Sequence, residues 1–253
     1  MDWGRAKTVL IWAFLLLNML LGYQLWMDEL NLNTFSENAA RREEMNRLLA
    51  LKEIRLQAEV PEGTPALTEI TVTLRTAGRQ EAPQPLPEPI AMSALGDAAL
   101  VRQALKPVVP EIDEYEPDPF AASRDEAVYA MNQLYKQLPM FEMRLELFAE
   151  GDAATMFRYA YSEVDPAAAG EAAAGQEALS AYTMLGSLAE NYLPPGSVIA
   201  DVRLGYHGPI FESETQVLAP YWRVVLGTGE TYYVHAINGA VEGPSLVSAR
   251  TGE

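Results

Sequence analysis

Two histidines, no cysteine and a scatter of serines and carboxylates are all that this 253-residue sequence offers to catalysis or metal binding. His207 and His235 stand 28 positions apart on separate predicted elements. They could meet across a sheet, but no histidine or carboxylate stands at helical or hairpin spacing to complete a ligand set, so no metal site is expected. His235 alternates with Tyr233 and Ile237 along a predicted strand, the pattern of an ordinary sheet histidine. Ser162, Ser180, Ser187 and Ser197 occupy no nucleophile-elbow context, and a thiol nucleophile is absent. With 35 acidic residues an acid–base pair can be drawn almost anywhere, so the sequence selects none. The expectation is a protein that is not an enzyme, with no catalytic residue, metal or cofactor.

Two further groups could bind rather than react. Tyr221-Trp222 and Tyr232-Tyr233 could form an aromatic platform, but neighbours on a strand point to opposite faces, so each pair should send one ring inward and one outward. Between Pro107 and Pro119, Glu111, Asp113, Glu114, Glu116 and Asp118 are interleaved with prolines. This stretch lacks the regular oxygen spacing and turn glycine of a calcium loop and reads as a solvated linker.

The elements that must position such groups begin with an uncharged run over residues 8–27. Its 20 residues make a helix about 30 Å long, enough to cross a bilayer. Arg5 and Lys7 precede it, and Asp28 and Glu29 follow at once. The positive-inside rule therefore puts the N-terminus in the cytoplasm and the remainder outside the cell membrane. A cleaved signal peptide would have a shorter apolar core ending in small residues, whereas this one ends Leu25-Trp26-Met27.

Within the run, Ile11, Leu15, Asn18, Gly22 and Leu25 follow spacings of 4, 3, 4 and 3, which place them on one seam of a helix. Asn18 would lie near mid-bilayer, where its amide finds no water, and Gly22 would let a second backbone approach. Interhelical bonds of this kind are worth roughly 0.6–2 kcal/mol. The seam is the candidate interface with a partner helix; the alternative is a polar residue tolerated on a plain anchor.

Charge narrows the partners. The formal net charge is −17, and of 18 basic and 35 acidic residues only Arg5, Lys7 and Asp2 precede the run. The 16 basic and 34 acidic residues beyond it make a surface unsuited to nucleic acid or to anionic lipid headgroups.

After the run, Thr34 and Glu37 have capping-box spacing, predicting a fresh juxtamembrane helix to about Leu51. Residues 54–60 and 70–74 alternate with a period of two and are expected to pair across the turn at Pro61-Glu62-Gly63. Pro83, Pro85, Pro87 and Pro89 demand an extended loop or sheet edge, and a short helix is expected at 97–106. Further strands are predicted at 127–135, 140–148 and 154–164. The Ala/Gly-rich residues 166–175 read as a loop, followed by a helix carrying Leu179, Tyr182, Leu185, Leu188 and Tyr192, and by strands at 197–204, 217–226 and 230–237. Tight turns between consecutive strands imply antiparallel pairing with packed helices, an α+β ectodomain. The expected organisation is a cytoplasmic start (1–7), a transmembrane helix (8–27), a juxtamembrane helix (28–52) and two subdomains (53–120 and 121–253), the first holding the proline-rich and acidic linkers.

The start Met1-Asp2-Trp3 with Arg5, Lys7-Thr8 and Tyr23-Gln24 resembles the YycI (WalI) proteins of Gram-positive bacteria. So do Asn132-Gln133-Leu134-Tyr135, Pro139-Met140-Phe141, Leu204-Gly205-Tyr206, Pro220-Tyr221-Trp222-Arg223, Tyr233-Val234 and Asn238-Gly239. The resemblance implies a bitopic regulator without catalytic activity. With a YycH-like protein, it would act on a membrane sensor histidine kinase (YycG/WalK-like) of a two-component system that governs cell-wall metabolism, largely through transmembrane-helix contacts. On that reading the seam meets the kinase within the lipid bilayer. The competing expectation is an anchored extracellular module that binds cell wall or peptide and uses the span only as a tether.

Overall fold

A computed structural model describes residues 3–75, 82–121, 127–165, 175–209 and 213–243; for residues 4–6, 8–9 and 24–38 it describes the backbone alone. Helix α1 (Trp3–Leu51) is continuous, so Thr34 lies inside it and does not start a new helix. The reason is local: no proline or glycine occurs between Tyr23 and Leu51, and a capping pattern ends no helix whose backbone bonds can simply continue.

Strands β1 (Arg55–Leu56), β2 (Ala66–Leu67), β3 (Ile70–Leu74) and β4 (Gln84–Ala91) follow, then α2 (Ala98–Leu105) and β5 (Tyr115–Pro117). Next come β6 (Ala127–Tyr135), β7 (Leu138–Glu150), β8 (Ala153–Tyr159), β9 (Ser162–Val164) and β10 (Gln176–Glu177). Helix α3 (Ala181–Asn191) precedes β11 (Val198–His207), β12 (Thr215–Leu226), β13 (Thr231–His235) and β14 (Val241–Glu242). The result is an α+β fold around a large mixed sheet, its spine running β14-β13-β12-β11-β7-β6-β5.

Turn chemistry explains the hairpins. Lys136 and Gln137, both at positive φ, join β6 to β7 in a two-residue turn. Gly151, Gly229 and Gly239, also at positive φ, serve β7–β8, β12–β13 and the turn after β13. The prolines fall where expected: β4 is a strand that pairs with β8 alone, and its register breaks between Pro85 and Ile90.

Two expectations are corrected. β1 does not pair with β3. It lies parallel to β11 (Leu56↔Ile199), while β3 pairs antiparallel with β12 and β9. The end of α1 decides this, because Lys52 O accepts from Gly196 N (2.8 Å) and Ser197 O from Arg55 N (2.9 Å), setting β1 beside the start of β11. Alternation identifies a strand, not its partner. The acidic stretch after Pro107 is not a solvated linker either: Val109, Ile112, Tyr115 and Asp118 are buried, and Tyr115 Oη donates to Ala160 O at 2.7 Å. Most of the Ala/Gly-rich segment, residues 166–174, lies outside the described residues.

Two main cores result. Met45 and Leu49 of α1 pack with Leu185 and Leu188 of α3 on one face of the β11–β13 sheet, around Trp222. Ser180 caps α3 by accepting from Thr183 N. In the other half, Val101 and Leu105 of α2 cover β5–β8 around Met131 and Leu145. Strands from residues 53–120 are joined to strands from 121–253 throughout: β1 to β11, β3 to β12, β4 to β8 and β5 to β6.

Candidate functional site

The predicted seam sits on α1. Ile11, Leu15, Asn18 and Gly22 are all exposed, and a Cβ added to Gly22 would meet nothing within 4 Å; the side chain of Leu25 lies outside the described residues. Residues 10–23 are exposed throughout, carrying Trp12, Phe14, Leu16, Leu17, Met19 and Leu20 at half or more of their full accessibility. An uncharged apolar surface of that extent is costly in water and marks a contact surface. Among the described residues, no helix is long and apolar enough to cross a membrane. Among the residues whose side chains are described, α1 first buries one in the sheet domain at Met45.

A charged network crosses the centre of the sheet. Arg223 of β12, 2% exposed, donates through Nη1 and Nη2 to Asp118 and through Nη2 to Asp201 Oδ2 at 2.8 Å. Asn132 Nδ2 and Phe120 N also donate to Asp118, and Arg203 Nε donates to Asp201 Oδ1 at 3.3 Å. Burial pushes the Asp118 carboxyl upward, but the hydrogen bonds and charges of Arg223 and Arg203 outweigh it and hold the pKa below the ordinary value. Two aspartates facing two arginines neutralise one another, so the network fastens β5's exit to β11 and β12.

The histidines are brought together only through a tyrosine. Both rings flank Tyr221, with centroids 5.1 Å (His207) and 4.9 Å (His235) away. His235 Nδ1 accepts from Ile237 N at 3.2 Å, an ordinary turn contact. His207 is held between carboxylates: Nδ1 meets Glu142 of β7, and Nε2 lies 3.3 Å from Glu242 of β14, which also accepts from Tyr221 Oη at 2.7 Å. Burial alone would lower the His207 pKa, but hydrogen bonds and charge from Glu142 and Glu242 prevail and raise it. Among the described residues, no three His, Asp or Glu side chains are grouped so as to hold a metal ion.

The aromatic pairs divide between faces as expected: Trp222 and Tyr232 enter the core, while Tyr221 and Tyr233 take the opposite face. That second face is not simply outward, since Tyr233 is buried between His207 and Phe141. Sequence reasoning missed the His207 carboxylates and the Arg223 network because their members lie far apart in the chain, at separations only the sheet order closes.

Residues 37–237 match the protein family described as YycI protein. A comparison with curated proteins found no match. Among solved structures, the crystal structure of an uncharacterized protein from Eubacterium rectale ATCC 33656 aligns over 45% of this chain and 41% of its own, with 14% identity and a TM-score of 0.32. The chain thus spans less than half of that protein, and a likeness of this size carries no argument.

Proposed function

The chain belongs to the YycI family, and on that premise we propose that it is a non-enzymatic membrane regulator of a sensor histidine kinase in a YycFG-type two-component system controlling cell-wall metabolism. In this reading residues 1–7 lie in the cytoplasm, residues 8–27 cross the cell membrane once, and the rest of the chain folds outside. The seam Ile11, Leu15, Asn18, Gly22 and Leu25 meets a transmembrane helix of the YycG/WalK-like kinase, and the outer domain meets a YycH-like partner.

The observation that carries the membrane part is the exposed, uncharged helical surface over residues 10–23, continuous through one helix with the Met45 and Leu49 anchor in the folded domain. A rigid connection of this kind lets a change at either end act on the other. A regulator shifts a two-state kinase only by binding the states unequally, and a preference of about 1–3 kcal/mol changes output severalfold or more.

Changing Asn18 and Gly22 together to leucine tests the reading. Association with the kinase span should weaken and target-gene output should change, while the outer domain keeps its fold. Unchanged association and output would reject the seam.

A further inference from the structure

Strand β11 has one closed edge and one open edge. On the closed side β12 accompanies it from Ile199 to His207. On the other, pairing with β1 stops at Ile199 and pairing with β7 begins only at Tyr206. Gln57 N and Ala58 N both donate to Ile199 O, and after them the chain departs through Pro61 and Gly63. Among the described residues, 200–204 therefore have no paired strand on that edge, and from Gly205 onward β7 lies against it at Pro139. An unpaired strand edge presents a row of N–H and C=O groups to any extended chain that can reach it. Five residues of edge span about 17 Å.

The space beside this edge is open. A cleft of about 1000 Å³ is lined by Arg42 and Met45 of α1, residues 56–62, Tyr182 of α3 and residues 200–203. A second, of about 390 Å³, continues along residues 202–204, with Leu134, Pro139 and Trp222 among its walls. The two share Pro61, Glu62, Val202 and Arg203, so they form one slot. Residues from both faces of β11, Val202 as well as Arg203, line it, which places the slot at the strand's edge.

Charge selects the occupant. Arg203 and Asp201 belong to the neutral network with Arg223 and Asp118. The remaining charges along the slot are the exposed Glu59, Glu62 and Glu116 against Arg42 alone. A second copy of this chain, at a net charge of −17, is repelled from such a surface. A basic chain is drawn to it.

We infer that an extended basic segment of a partner protein docks in this slot as an added strand, bonding to β11 between Ile199 and Gly205. Its lysine or arginine side chains face Glu59, Glu62 and Glu116, and alternate apolar side chains enter the Leu134–Trp222 cleft. This site is separate from the α1 seam, and its outcome is independent of whether the helix binds another helix.

The test uses the full chain in detergent and a fluorescent peptide of about eight residues alternating lysine and valine. Fluorescence anisotropy should show saturable binding, weakened about tenfold or more when Glu59, Glu62 and Glu116 are together changed to glutamine. Methylating the peptide's backbone nitrogens on one edge should abolish binding, because an added strand needs those donors. A peptide alternating glutamate and valine should not bind. Glu88→Gln, Glu150→Gln and Asp152→Asn, combined as a distant exposed control, should leave binding unchanged. Absence of binding, equal loss in the control, full retention by the methylated peptide, or self-association of the chain through the slot would each overturn the inference.

Discussion

The His207 imidazole lies flat against the Tyr233 ring, with centroids 3.7 Å apart and planes 4° from parallel. That stack fixes the ring so that one nitrogen addresses Glu142 of β7 and the other Glu242 of β14, 100 residues apart in the sequence. Tyr221 closes the remaining side and is itself bonded to Glu242, with Glu69 adding negative charge near its hydroxyl. His207 therefore ties the terminal strand β14 to β7.

A raised histidine pKa in the fold has a definite pH signature. The stabilisation is fully present below the unfolded value, about 6.5, and is lost as pH rises through the higher folded value. In chemical denaturation, the stability of the native chain minus that of His207→Gln should therefore be larger near pH 5 than near pH 9. A difference that grows with pH would show that burial outweighs the two carboxylates.

Arg223 is expected to be the most sensitive charge in the molecule. Arg223→Ala leaves Asp118 and Asp201 buried without their main partner and should cost about 3–5 kcal/mol by denaturant unfolding. Removing Asp118, Asp201 and Arg223 together should cost less than removing Arg223 alone, because no charge is then stranded. The lowered Asp118 pKa adds a second sign: its stabilisation is present above the unfolded carboxylate value and disappears as pH falls through the folded one.

Gly205 sits where β11 and β7 converge. A Cβ there would lie 2.7 Å from Phe141 Cζ, besides striking the Pro139 carbonyl oxygen. Gly205→Ala should destabilise the sheet domain by about 1–3 kcal/mol. Gly22→Ala, with nothing within 4 Å, should leave its melting unchanged while weakening helix association.

Local patterning made most of the strands and two of the three α-helices legible. Period-two alternation located β1 and β3, strand-like runs located β6, β7, β11 and β12, and the apolar strip located α3. Pairing was less accessible: nothing near Leu56 points to Ile199, and nothing near Tyr206 points to Met140. Both contacts are parallel and long-range, so no turn announces them. The acidic stretch misled for a related reason. Its composition is that of a solvated linker, and it takes the distant Arg223, with Asn132 and Arg203, to make burial of Asp118 tolerable. The predicted seam residues lie on one helix, α1, whose geometry sets their spacing on a common side.

Exchanging residues 8–27 for an unrelated membrane span separates a helical regulator from a tethered module. If the proposed role holds, kinase output should become insensitive to the exchanged protein although the sheet domain stays folded. Full retention of function would make the span a tether.

The most direct measurement places a photo-crosslinking residue at successive positions of α1 in living cells and identifies what is captured. Positions 11, 15, 18, 22 and 25 should trap the sensor kinase, while positions 13, 16 and 20 on the opposite side of the helix should trap it poorly or not at all. Capture without helical periodicity, capture of no kinase, or recovery of a chain trimmed near residue 27 would contradict the proposed role of the seam.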